Sequence, residues 1–299
     1  MTRSVTPGRA APVLPVDGKT LDAQLAPPRT RRRARWSPTA IIGGLLVAFW
    51  LFIAVFGVWL APYDPGALGG PVLAGYSVAH PLGTDYLGRD VLSRIFDGAR
   101  FTVGLALLAA VLSCAFGTGL GLLAALSGRW VDEPLSRLID ALISMPSKIT
   151  ALVMVSAFGS SVPLLIVMAV VGYTPGCYRI ARSLAMNLTE LEYVQVARTR
   201  GEGKLYIALV EMLPNMRLPL LTDLGLRFVY IVLLLSGMSF LGLGVQPPDA
   251  DLGSLVRENI GGLADGAPAV LMPALAIGTL TVGVNLLIDR FGARRRGGR

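Results

Sequence analysis

A helix needs about 20 apolar residues to cross the hydrocarbon core of a bilayer. Six runs of this chain meet that length: Thr39–Ala61, Thr102–Leu126, Leu138–Phe158, Val162 to about Ala181, Leu218–Leu243 and Ala269–Asp289. Hydrophobic residues make up 53% of the 299 residues and charged ones only 15%, which is too apolar for an ordinary soluble domain. The fold class expected is an all-α polytopic membrane protein with six transmembrane helices. Only Gly159, Ser160 and Ser161 separate the third run from the fourth, so those two are expected to form a tight hairpin.

The 27 Lys and Arg outnumber the 19 Asp and Glu, leaving a formal charge of +8. A basic balance raises the question of nucleic acid. Here the cations fall between apolar runs and at both ends, which topology explains and nucleic-acid binding does not. Arg29, Arg31, Arg32, Arg33 and Arg35 abut the first run, as a positive-inside anchor with contact to anionic lipid would. With the N-terminus placed inside, Arg129, Arg137, the stretch around residue 200 and Arg294, Arg295, Arg296 and Arg299 are also inside. Only Arg89, Arg94, Arg100 and Arg257 fall outside. That bias predicts both termini in the cytoplasm. The first apolar run starts too late and is too long for a signal peptide. Residues Met1 to about Ala34 lack periodicity and are expected to be disordered.

The chemistry-bearing residues are few. His80 is the only histidine and has no cysteine beside it, so no metal cage is expected. Cys114 and Cys177 read as small packing residues rather than a disulfide framework. No phosphate-cradling loop, H-E-x-x-H or G-x-S-x-G occurs. No catalytic residue is assigned and no cofactor is expected on this chain. Asp85–Arg89 and Asp90–Arg94 have i,i+4 spacing and predict a surface helix at the membrane face. Asp223 and Arg227 have the same spacing inside the fifth run and predict an intramembrane pair, functional or structural, near its cytoplasmic end. Asp140 and Lys148 lie in the third run, where Lys148 either faces a cavity or snorkels. Gly117 and Gly121 give a small-xxx-small pattern that allows close helix approach.

One polar island interrupts the apolar runs: Glu190 to Asn215, ELEYVQVARTRGEGKLYIALVEMLPN. Its two halves read as short amphipathic helices, with Gly201 at the turn between them and Pro214 ending the second or opening the next. Such a knuckle outside the membrane is a surface for another protein to grip.

The island resembles the EAA loop of ATP-binding cassette (ABC) importer permeases. Gln195-Val196-Ala197 stands where the motif has Glu-Ala-Ala, Gly201 matches its glycine, and Leu213-Pro214 its closing Leu-Pro. HPLGTDYLGRDVLSR (His80 to Arg94) and FLGLGVQPP (Phe240 to Pro248) are similar to signatures of the dipeptide/oligopeptide/nickel subfamily, second-permease type. The resemblance implies the type I importer fold and the following division. Residues 1–38 would be a cytoplasmic tail, 39–61 a first helix, and 62–100 an extracytoplasmic segment. Residues 101–290 would be the permease core with a coupling loop at 186–216, and 291–299 a basic tail. It implies a bacterial inner-membrane assembly of this chain, a homologous second permease, two ABC ATPases holding ATP and Mg, and an extracytoplasmic solute-binding protein. The coupling residues would be Gln195, Ala197, Arg198, Gly201, Leu205, Leu213 and Pro214, with Arg198 giving polar contact and the apolar residues seated in the partner. The outer segment would be either a ledge for the binding protein or a structural elbow. Cargo would be di- or oligopeptides, with nickel or a metal chelate as the alternative. An ion-coupled carrier acting alone is the rival from another class; it would show repeated halves, and no internal repeat is visible.

Overall fold

The computed structural model describes residues 38–296. The expected disordered tail and the arginine cluster before Ser37 lie outside these residues, as do the side chains beyond Asp289. Helices in chain order are α1 (Pro38–Leu60), α2 (Val91–Ser127), α3 (Arg129–Ser144), α4 (Ser147–Phe158), α5 (Val162–Thr189), α6 (Glu192–Thr199), α7 (Lys204–Tyr206), α8 (Leu213–Phe240), α9 (Leu252–Glu258) and α10 (Pro268–Arg296). A π-helical turn, Ile207–Met212, joins α7 to α8, and no strand occurs among the described residues.

Five of these rods are long and apolar enough to span a bilayer: α1, α2, α5, the continuous Lys204–Phe240 rod, and α10. The expected third span is different. Leu138–Phe158 is not one rod but a part of α3 and all of α4, bent by 82° at Met145–Pro146. The cause is local. Pro146 has no N–H to give and crowds the residue before it, so Met145 is extended at φ −90°, ψ 125°. The spans number six only when this broken pair is taken as one.

What lies before the break is amphipathic and charged. Asp132 of α3 accepts from the Arg182 guanidinium and Asp140 from Arg179 at 2.6 Å, both arginines on α5. The Ser136 and Tyr178 hydroxyls share a hydrogen bond of 2.8 Å. These links hold α3 across α5. The hairpin between α4 and α5 forms as expected, with Gly159 at φ +81°.

The core is a seam of Trp50, Ile95, Val103, Met168, Ile231, Leu235 and Leu280, drawn from α1, α2, α5, α8 and α10. Trp50 donates its indole N–H to Thr279 at 3.1 Å, so its one polar atom is satisfied inside that seam. The rods' outer faces carry bare apolar side chains, among them Leu45, Phe49 and Trp59 at 66%, 50% and 77% exposure. A surface of that kind is a liability in water and the ordinary state in lipid.

Helix α2 approaches α5 closely. A Cβ on Gly117 would stand 2.4 Å from the Cβ of Cys177, and one on Gly121 2.8 Å from the backbone nitrogen of Arg182. Gly119, two positions from each and so on the other side of the helix, has nothing within 4 Å. Gly121→Leu is therefore expected to lower stability by about 2 kcal/mol through overpacking, while Gly119→Leu stays near wild type. Thermal unfolding of the purified chain in detergent separates the two.

Candidate functional site

The knuckle forms from residues with opposite demands. Val194 and Ala197 of α6, Ile207, Ala208 and Met212 of the π turn, and Met216 beyond it are all buried. They pack with Leu122, Ala181 and Ala185, so the knuckle's inner face is seated on the ends of α2 and α5. Its outer face shows Val196 at 53%, Leu205 at 73%, and Leu209 and Val210 at 50% each. Gly201 sits at φ +78° after the last turn of α6, where its N–H donates to the Arg198 carbonyl at 3.0 Å. Nothing lies within 4 Å of a Cβ placed there, so backbone conformation rather than space selects glycine.

Each expected coupling residue has a defined place. Gln195 donates its side-chain amide to the Thr189 carbonyl at 2.7 Å and so ties α6 back to the end of α5. Arg198, Gly201, Leu205 and Pro214 are exposed, Leu213 is half-buried and Ala197 is 2% exposed. Ala197 thus faces the chain's own core, and a partner would meet Val196, Arg198 and Leu205 instead. The second short helix is not a separate element. Through the π turn it runs straight into α8, and Pro214 stands at the first turn of that helix. A proline here removes one N–H from the ladder, and π turns are where a helix absorbs such a misfit. Any displacement of Lys204–Tyr206 is therefore a displacement of a membrane rod.

At the other end of the bundle the outer segment is an elbow built around a buried carboxylate. Asp85 accepts from the N–H groups of Leu87 and Arg89 at 2.9 Å each. It also accepts from Arg89 Nε at 2.7 Å and Arg94 Nη1 at 2.9 Å. Glu258 Oε2 on α9 closes the group with Arg94 Nη1 at 2.6 Å and Arg89 Nη2 at 3.2 Å. The expected Asp85–Arg89 pair exists, in a turn and buried rather than on a surface helix. The expected Asp90–Arg94 pair does not form as an ion pair. Asp90 instead caps α2, accepting from the N–H and hydroxyl of Ser93, and receives His80 Nδ1 at 3.0 Å. A helix N-terminus attracts a carboxylate more strongly than a one-turn salt bridge would, so α2 starts at Val91 and Arg94 turns to Asp85. Pro247 and Pro248 line the same recess as Tyr86, Arg89 and Arg94, about 570 Å³ in volume, which brings the chain's two outer signatures together.

Between these ends lies the intramembrane pair. Arg227 reaches Asp223 Oδ1 through Nε at 3.2 Å and Nη2 at 3.1 Å, and Asp223 is 4% exposed. Arg227 stands midway along α8 rather than near its cytoplasmic end. Beside Asp223, the thiols of Cys114 and Cys177 approach to 3.4 Å, and both are free. The three side chains bring ligand-type atoms within 4.8 Å of one another. Arg227 already supplies the positive charge that balances Asp223. Sequence reading missed this grouping, because the residues come from three helices and only their packing joins them.

Known proteins match this architecture. Residues 117–297 fit the model of the binding-protein-dependent transport system inner membrane component. This chain belongs to that family. The dipeptide transport system permease DppC of Haemophilus influenzae is 32% identical over 257 residues, covering 84% of this chain and 87% of that protein. The di/tripeptide permease DppC of Pseudomonas aeruginosa is 33% identical, over 83% and 84% of the two chains. The glutathione permease GsiD of Pectobacterium atrosepticum is 30% identical, over 86% of each. An inward-facing structure of the MetNI methionine ABC transporter aligns over 69% of this chain and 97% of that chain, with a TM-score of 0.53 at 17% identity. The fold is the type I ABC importer permease fold, and the permease is an integral inner-membrane protein. Membership sets aside the ion-coupled carrier.

The Asp85 group gives the permease a pH signature. Burial alone would raise the Asp85 carboxyl, but the N–H donors of Arg89 and Leu87 and the Arg89 guanidinium outweigh it and hold the group below the usual carboxylate range. A depressed folded value means the stabilisation is present above the unfolded carboxyl pKa of about 3.9 and is lost as pH falls through the lower, folded one. Asp85→Asn is expected to cost about 3 kcal/mol at neutral pH by leaving two buried guanidinium groups short of a partner. Thermal unfolding of variant and wild type should converge as pH falls below about 4.

Proposed function

We propose that this permease forms half of the membrane pathway of an ATP-driven importer for di- and oligopeptides. The supporting observation on cargo is its likeness to permeases named for dipeptide and di/tripeptide transport along more than four fifths of its length. The observation that carries the mechanism is the continuous rod from the knuckle into the bundle. Both termini and the knuckle face the cytoplasm, in keeping with the Lys and Arg bias. The other members are a homologous second permease, two ABC ATPases that hold ATP and Mg, and an extracytoplasmic solute-binding protein. The permease itself performs no chemistry.

Closure of the ATPases on ATP moves a handle, and the handle is rigid for physical reasons. Its inner face is a packed apolar cluster, so α6 cannot slide without carrying the ends of α2 and α5 with it. Its outer face offers apolar Val196 and Leu205 with cationic Arg198 beside them, which suits an acidic-rimmed groove. Motion of α6 and α7 passes through the π turn to α8, and α8 carries Arg227 and, in Ile231 and Leu235, part of the core seam. The bundle thereby alternates between two packings that ATP and the loaded binding protein favour differently.

Gly201→Val forces a β-branched residue into φ +78°, at a local cost of about 1–2 kcal/mol. The variant chain is expected in the membrane at near-normal level, with ATP turnover preserved and peptide uptake sharply reduced in proteoliposomes of the whole complex. Gly201→Asn, which tolerates that backbone, should restore most uptake. Normal uptake in the valine variant would remove the knuckle from the coupling path.

A further inference from the structure

At the break in the third span lies an open recess of about 300 Å³ between α3, α4, α5 and α8, and Arg227 lies at its wall. Resting on the peptide reading above, we infer that this cavity is an intramembrane contact for the terminal carboxylate of the peptide in transit. The guanidinium is placed with little freedom. It lies flat on Gly176 of α5, where a Cβ would meet Nη1 and Nη2 at 2.5 and 2.6 Å. Its Nε and Nη2 are directed to Asp223 Oδ1, while Nη1 has no hydrogen-bond partner among the described residues. A guanidinium carries five N–H donors in a planar fork, so one edge remains for a second carboxylate.

The opposite wall is also prepared for an anion. Ser147 and Thr150 line the cavity from the first turn of α4, which has no side-chain cap. Thr150 donates its hydroxyl to the Pro146 carbonyl at 3.3 Å, and Ser147 Oγ has no partner among the described residues. Lys148 on the same turn is exposed and has no ion pair among the described residues. Arg227 with Asp223 is neutral overall, and the first turn of α4, without a side-chain cap, faces it across the cavity while Lys148 lies outside the lining. A half-helix whose N-terminus points at an anionic group is a recurring solution in transport proteins.

The remaining lining fits the rest of a peptide end. Leu142 and Val171 give an apolar rim, and Tyr173 fixes its ring by donating to the Tyr230 carbonyl at 3.1 Å. The volume sits at the low end for a ligand site, the size of a chain terminus rather than of a whole oligopeptide. A guanidinium already shared with Asp223 binds a carboxylate weakly, as a pathway requires, since cargo has to leave. Every peptide offers this group whatever its side chains, so the contact serves a mixed cargo.

The test uses the complete transporter in proteoliposomes. Maximal uptake of trialanine and of its C-terminal amide is measured per peptide-loaded binding protein, for wild type, Arg227→Gln and Arg227→Lys. Wild type should favour the free acid by about tenfold, the scale of one charge-assisted hydrogen bond. Arg227→Gln should bring the ratio close to one, and Arg227→Lys should keep part of it. An acid-to-amide ratio unchanged between wild type and Arg227→Gln overturns the inference and leaves the peptide reading standing. Wild type that takes up neither peptide overturns both. Should Arg227→Gln fail to assemble, Thr150→Cys gives an independent answer. Trialanine should slow its labelling by a methanethiosulfonate reagent during turnover while the amide does not, and equal protection by the two overturns the assignment.

Discussion

In hydrocarbon, a backbone amide without a partner has no water to turn to, and that one constraint orders this molecule. It makes helices of all the long apolar runs and leaves few places where the ladder is allowed to fail. Two such places occur within the bundle, at Met145–Pro146 and at Ile207–Met212. The first borders the Arg227 cavity, and the second is packed on the ends of α2 and α5. The permease therefore concentrates its irregular backbone where force enters and where cargo is proposed to pass.

Charge obeys the same economy. Asp85, Arg94 and Asp223 are buried, and each meets an opposite charge with hydrogen-bond geometry. A buried ion pair adds little net stability over an apolar filling but is costly to break, so it fixes which elements meet more than it strengthens the fold. The Asp85–Arg94–Glu258 group does this for the elbow and α9, and Asp132–Arg182 does it for α3 and α5. These contacts hold the two ends of the rods while small residues at Gly117 and Gly121 let the rods close between them.

The knuckle is built for the coupling role proposed for it. One face is core and the other is exposed, so the same short segment is held by the bundle and open to the proposed ATPase partner. A stiff link is what such a coupler needs, and the link here is covalent and helical from Lys204 to Phe240. The π turn near its start takes up the misfit that Pro214 imposes without breaking the rod.

By itself the sequence determined the helices, the hairpin at Gly159, the turn at Gly201 and the family, because each depends on neighbours within a few positions or on a local motif. Apolar run length, a glycine at a left-handed position and a proline at a helix start are all local facts. The tertiary structure alone decided that Arg94 crosses to Glu258 and that Ala197 turns inward, whereas the break at Pro146 and the Asp90 cap on Ser93 have local causes. It alone gathered Cys114, Cys177, Asp223 and Arg227 from three helices, and set Ser147 and Thr150 across a cavity from that arginine. The reason is physical. A side chain chooses among partners by burial and distance, and for Arg94 with Glu258 and Cys114 with Cys177 the winning partner lies 164 and 63 positions away in the chain.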